Sequence, residues 1–196
     1  MIEDGEVRGS MRVIVGKPTA ATPVVKSTIY SATLNPYWHV PGDLARTLIA
    51  PRVLKQGPSY LRDRGYQILS DFSADARVLD AADIDWEAVA DGRATVHVRQ
   101  LPGPANSMGK VKFGFGNADG IFLHDTPRKE LFEGADRNLS AGCVRVEDAD
   151  RLTRWLLGQS AGGASKTPEQ DVPLPSPVPI AIMYLDTADR VQLAGL

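Results

Sequence analysis

"IFLHDTPRKELFEGADRNLSAGCVRVED", residues 121 to 148, holds the only cysteine of the chain, Cys143, and one of its three histidines, His124. Cysteine is among the most buried residue types. A lone thiol set behind a glycine in a polar loop therefore leaves two readings, an inert core thiol or a nucleophile with its base. A free thiol, with a pKa of about 8.5, is mostly protonated at neutral pH and needs a neighbour that takes or stabilises its proton. Histidine is the natural partner. His124 lies nineteen positions before Cys143, too far for one helix face, yet a strand end and a returning loop can bring the two together.

The neighbours of the thiol add detail. Gly142 allows a tight backbone turn that presents N–H groups towards a reacting carbonyl, as an oxyanion site requires. Arg145 places a cation two residues on, where it either favours the thiolate or anchors the loop to the core. Upstream, "GKVKFGF" (109 to 115), the turn "GNADG" and "IFLH" (121 to 124) read as a hairpin. Downstream, "EDADRLTRWLLG" (147 to 158) puts Leu152, Trp155 and Leu156 on one helical face, crowds acids into the first turn and stops at Gly158.

Further out, "SMRVIVGK" (10 to 17) and "VKSTIYSATLNPYW" (25 to 38) are rich in β-branched residues around a turn-like "PTAATP", which predicts a second hairpin. The character changes at residue 41. Asp43 reads as the cap of a helix over 43 to 55, broken or kinked at Pro51; a short helix over 58 to 65 stops at Gly65; a strand "YQIL", an acidic Ala-rich stretch and a strand "ATVHVRQ" follow. Residues 41 to 102 thus read as an insertion, able to act as a lid, between a first framework part (1 to 40) and a second (103 to 196). Residues 159 to 179, rich in Gly, Ser and Pro, read as a loop before a closing strand "IAIMYL" and a last short one, "RVQL".

At 196 residues the chain can bury a core without metals, and one cysteine rules out an internal disulfide. Lys and Arg total 22 against 24 Asp and Glu, so the totals imply no strongly basic face for nucleic acid or acidic lipid. No apolar stretch approaches membrane-spanning length, and the first residues lack the pattern of an export signal.

"HDTP" followed by "SAGCVRVED" resembles the L,D-transpeptidase family, whose pattern is a histidine with a following Thr or Ser and then Ser-x-Gly-Cys-x-Arg. "SMRVIVGKP", "LNPYWHVP", "NSMGKVKFGF", "FLHDTP" and "LFEG" resemble the larger branch of that family, which carries a helical capping insertion, over about residues 10 to 185. The resemblance implies an α+β, mainly β catalytic fold with a mixed helical cap at 41 to 102. It implies action on peptidoglycan stem peptides, as donor and acceptor, in the periplasm or cell envelope, with no cofactor, no nucleic acid and no membrane insertion. It makes Cys143 the nucleophile and His124 its base and later acid, with Thr126 and Ser140 shaping the site and the amides of Gly142 and Cys143 as oxyanion donors. Arg145, Phe122 and Trp38 join them as candidate substrate-binding residues. A 3→3 cross-link would result with an amine acceptor and carboxypeptidase activity with water; a non-catalytic peptidoglycan-binding module is the reading from a different class.

Three departures from the family pattern stand out. Ala141 occupies a position often held by His or Ser, and Phe122 one commonly held by Tyr, which removes a hydroxyl from the oxyanion region. Met1 falls too late for the further strand and the export signal that family members normally carry.

Other signals are assigned blander roles. "GFGNADG" has the wrong glycine spacing for a phosphate loop and reads as a turn. His39 among aromatics reads as packing or groove wall, and His97 as a strand residue. Three scattered histidines offer no zinc spacing. "NLS" at 138 to 140 matches a glycosylation acceptor by chance, and Tyr37, Tyr60 and Trp86 read first as packing.

Overall fold

The computed structural model describes residues 1–161 and 167–185. A small hairpin, β1 (Ile2–Glu3) with β2 (Glu6–Val7), leads into β3 (Val13–Gly16) and the long β4 (Val25–Leu34). Then come β5 (Trp38–Val40), α1 (Gly42–Leu44), a wider helical turn (Ala45–Ile49), α2 (Ala50–Gln56), α3 (Ser59–Asp63), β6 (Tyr66–Leu69), β7 (Val78–Leu79), α4 (Trp86–Ala90) and β8 (His97–Gln100). The chain continues through β9 (Val111–Phe115), β10 (Leu123–His124), β11 (Asn138–Ser140), β12 (Val144–Val146), α5 (Ala149–Leu157) and β13 (Gln170–Ile182). The fold is α+β and mainly β.

Two sheets organise these elements. The larger has the order β11-β3-β12-β10-β9-β4-β13, and the smaller β5-β8-β6-β7. In the larger sheet, strand alternation sends Ala32, Leu34, Val111, Phe113 and Val146 to one face, where Leu152 and Leu156 of α5 close the core. Asp148 caps that helix by accepting from the Arg151 amide, and Gly158 ends it at φ 70°. The smaller sheet has its own core, in which Val40, Ile68 and Val98 meet Ile49, Val53 and Leu61 of the helices and Trp86 of α4.

Between β9 and β10 the expected hairpin is present, with Leu123 opposite Phe113 and His124 opposite Lys112. The first expected hairpin is not. β3 and β4 are separated by three strands, and β3 instead lies between β11 and β12. Composition names strands, but which strand neighbours which depends on distant pairing; here β3 completes the support of the segment around Cys143.

The expected loop over 159 to 179 is corrected as well. From Gln170 onward it is strand, although Pro173, Pro175, Pro177 and Pro179 lie in it. Among the described residues β13 sits at the edge of the sheet, paired only with β4, and its register shifts between Pro173 and Val178. A proline lacks an N–H, a deficit that an edge strand tolerates because its outer side has no ladder to complete. The expected short strand "RVQL" lies outside the described residues.

In the segment from residue 42, Pro41 takes the cap position and Asp43 falls inside the first turn. Pro51 stands in the first turn of α2, directly after the wider turn that absorbs its missing donor. Gly65, at φ 68°, follows α3 as expected.

Candidate active site

The site forms where β10 and β12 run side by side. They pair in parallel, Leu123 opposite Val144 and His124 opposite Arg145, and the Val144 amide donates to the Phe122 carbonyl at 2.9 Å. Cys143 stands one residue before β12, half-buried beside the core of the larger sheet, with the Phe122 backbone amide and the Arg145 charge acting on its thiol. Lys112, paired with His124 from β9, shares the face of His124, and its Nζ lies 5.7 Å from the centre of the Phe122 ring. The sheet therefore gives its apolar side to α5 and sets His124, Lys112 and Arg145 on the other, with Phe122 beside Lys112 and Cys143 at the entry to β12.

His124 is buried, 4% exposed, and its Nδ1 lies 2.5 Å from the Asp125 carbonyl oxygen. A carbonyl only accepts, so Nδ1 carries the proton and Nε2 keeps its lone pair. Burial pushes the imidazole pKa down to about 4; the Asp125 carbonyl opposes this, and the charge of Arg145 adds to it. The ring is therefore a neutral proton acceptor at physiological pH.

Asp125 holds the ring's anchor in place. Its carboxylate accepts from the Lys110 amide at 2.9 Å and from Lys129 Nζ at 2.6 Å, and its own amide donates to the Val111 carbonyl at 2.9 Å. Gly109 makes room for this carboxylate: a Cβ there would lie 2.4 Å from Asp125 Oδ2, and its φ is 63°.

Burial raises the Cys143 thiol pKa, while the Phe122 backbone amide and the Arg145 charge pull it down by less. The thiol thus rests protonated. Arg145 is itself largely buried, its Nε has no hydrogen-bond acceptor, and no carboxylate pairs with it among the described residues. It acts on the thiol as an uncompensated charge.

The loop around the thiol is fixed by two hydroxyls. Ser140 Oγ donates to the Cys143 carbonyl at 2.6 Å and accepts from the Gly142 amide at 3.2 Å. Thr22 Oγ1 donates to the Gly142 carbonyl at 2.8 Å and accepts from the Gly16 amide at 2.9 Å. Gly142 has φ 116°, a conformation that side-chain-bearing residues rarely adopt. Of the two amides expected to serve as oxyanion donors, that of Gly142 is taken by Ser140, whereas that of Cys143 makes no hydrogen bond among the described residues.

Two sequence candidates remain. Thr126 is buried beyond the end of β10, where its Oγ1 accepts from the Arg128 amide at 3.2 Å. Trp38 packs against the smaller sheet's core, 6.4 Å from Tyr66 ring to ring. Sequence reading passed over Asp125, Lys112 and Thr22. The first lies inside the quoted "HDTP" and the second follows from strand alternation, but Thr22, in a turn far along the chain, carries no local signal.

A family model for the YkuD-type L,D-transpeptidase catalytic domain matches residues 1–180. The chain belongs to this L,D-transpeptidase catalytic domain family. It is also 38% identical over 157 residues to a Haemophilus influenzae protein named "Putative L,D-transpeptidase", a match covering 80% of this chain and 31% of that protein. The chain thus spans about a third of the length of that relative. No helix among the described residues is long and apolar enough to cross a membrane.

Proposed function

We propose that the protein is a cysteine L,D-transpeptidase that joins peptidoglycan stem peptides in the cell envelope by 3→3 cross-links. The observation that carries this reading is the parallel pairing of β10 with β12, which sets His124 opposite Arg145 and so two residues along from Cys143, with Nδ1 of the imidazole committed to the Asp125 carbonyl and Nε2 left to exchange a proton. In the first step Cys143 Sγ bonds to the carbonyl carbon of the donor's third residue as His124 Nε2 takes the thiol proton. The intermediate collapses, the C–N bond breaks, and His124 returns that proton to the departing D-alanine amine, leaving a thioester. An acceptor amine then attacks the thioester while His124 takes its proton; the C–S bond breaks and the proton returns to sulfur.

The charge states support a concerted first step. A thiol held above its ordinary pKa and an imidazole held far below its own do not form an ion pair in the empty site. Proton transfer therefore accompanies attack, when the developing oxyanion and the incoming substrate change both affinities. The Cys143 amide is the oxyanion donor the fold leaves free, and removal of one such donor typically costs about 10²–10³ in rate. Residues 41 to 102 serve as the cap of the groove.

Incubation with a carbapenem followed by mass measurement tests the reading. A mass increase that vanishes in Cys143→Ala supports the nucleophile; no adduct on the unmodified protein refutes it and favours a non-catalytic binding module. Product analysis with stem tetrapeptides then divides dimers, the transferase result, from tripeptides, the hydrolase result.

A further inference from the structure

Strand alternation also splits the smaller sheet. Trp38, Val40, Ile68 and Val98 turn to its helices, while His39, Gln67, His97 and Arg99 occupy the opposite face, with Arg99 in register with both His39 and Gln67. Phe72, 46% exposed, lies edge-on between the two imidazoles, its ring centre 4.9 Å from that of His39 and 4.9 Å from that of His97. The Arg99 guanidinium stacks 4.4 Å above Tyr37 and donates to Gln67 Oε1 at 2.7 Å, but its Nε has no acceptor and no carboxylate pairs with it among the described residues. The acids nearby are already engaged. Glu169 accepts from Lys112 Nζ and from the Tyr37 amide, both at 2.5 Å, and Asp71 accepts from Ser70 Oγ and the Ser73 amide.

This face connects to the candidate active site on a definite side. β10 lies between β12 and β9, so His124 has the Cys143 segment on one flank and Lys112 on the other. Lys112 leads through Glu169 to Tyr37 and so to Arg99. An acceptor amine must reach His124 while the donor occupies the sulfur, and the flank away from the Cys143 segment is the one that runs to Arg99.

We propose that the Arg99 face of the smaller sheet is an acceptor subsite, which binds a carboxylate of the incoming stem peptide at Arg99 and His39 and lays its aliphatic part on Phe72. This rests on the transferase reading. A charge-assisted hydrogen bond of this kind contributes about 1.5–3 kcal/mol, or roughly 10- to 100-fold in affinity.

The test is titration of the unmodified protein with a synthetic stem tripeptide of alanine, γ-linked glutamate and diaminopimelate, which has an acceptor amine and no bond to cleave. Calorimetry gives the affinity, and the imidazole NMR signals give the place. Arg99→Gln should weaken binding at least about tenfold, and the same tripeptide with its carboxylates amidated should bind the unmodified protein equally weakly. The His39 and His97 ring signals should move on binding. His39→Gln, at an exposed position, should weaken binding with a melting temperature lowered by no more than about 4 °C. Amidated and free tripeptides of equal affinity, unmoved His39 and His97 signals, or no binding at millimolar tripeptide would each overturn the subsite. Failure of the transferase reading shows separately, as a protein that forms no thiol adduct with a carbapenem or that turns stem tetrapeptides into tripeptides without dimers.

Discussion

The two sheets of this molecule use one device for opposite ends. Each sends apolar residues to helices, and on the other face the larger shows His124 and Arg145 and the smaller His39, His97 and Arg99. In the larger sheet the ring is His124, 4% exposed, while in the smaller His39 is open to solvent. Burial makes the difference. It drives His124 to a pKa of about 4 and raises Cys143, whereas the lesser burial of His39 lowers its pKa too but is opposed by the charge of Glu169. Reactivity follows from desolvation as much as from residue identity.

That contrast can be broken most sharply at His124. His124→Gln should lower the rate of thiol adduct formation by about 10²–10⁴, the span of a positioned general base, while circular dichroism shows an unchanged fold. A second test is the dependence of stability on pH. The His124 pKa is about 4 in the folded chain against an ordinary 6.5, so the folded state resists protonation. The stability this group leaves intact above pH 6.5 is lost progressively as pH falls towards 4, by up to about 3 kcal/mol. Denaturant titrations from pH 7 to 4 should show that slope in the parent and a shallower one in His124→Gln.

Gly142→Ala should cost about 1–3 kcal/mol, read by chemical denaturation, from backbone strain at its positive φ. Space is not the obstacle, since the nearest atom to an added Cβ is Ile121 Cγ2 at 3.7 Å. On the smaller sheet, His39→Gln should change stability by no more than about 1 kcal/mol, since the exposed residue gives up only edge-on ring contacts with Tyr37 and Phe72. A large loss there would mean that the two faces are not the contrast described.

The residues of the chain by themselves settled a good deal. Alternating apolar positions marked β9 and β10 and their hairpin; the Asp148 to Gly158 pattern marked α5; and "HDTP" with "SAGCVR" pointed to the family, with His124 and Cys143 as the candidate pair. These signals are local, carried by side-chain period, caps and turn residues within a few positions. Only the tertiary structure decided that β3 leaves β4 and joins β11 and β12, that four prolines lie in an edge strand, that Ser140 occupies the Gly142 amide, and that Thr22 and Asp125 brace the site. The reason is physical: strand neighbours, hydrogen-bond partners and desolvation are properties of segments far apart in the chain, and they take values only when the sheet has closed around them.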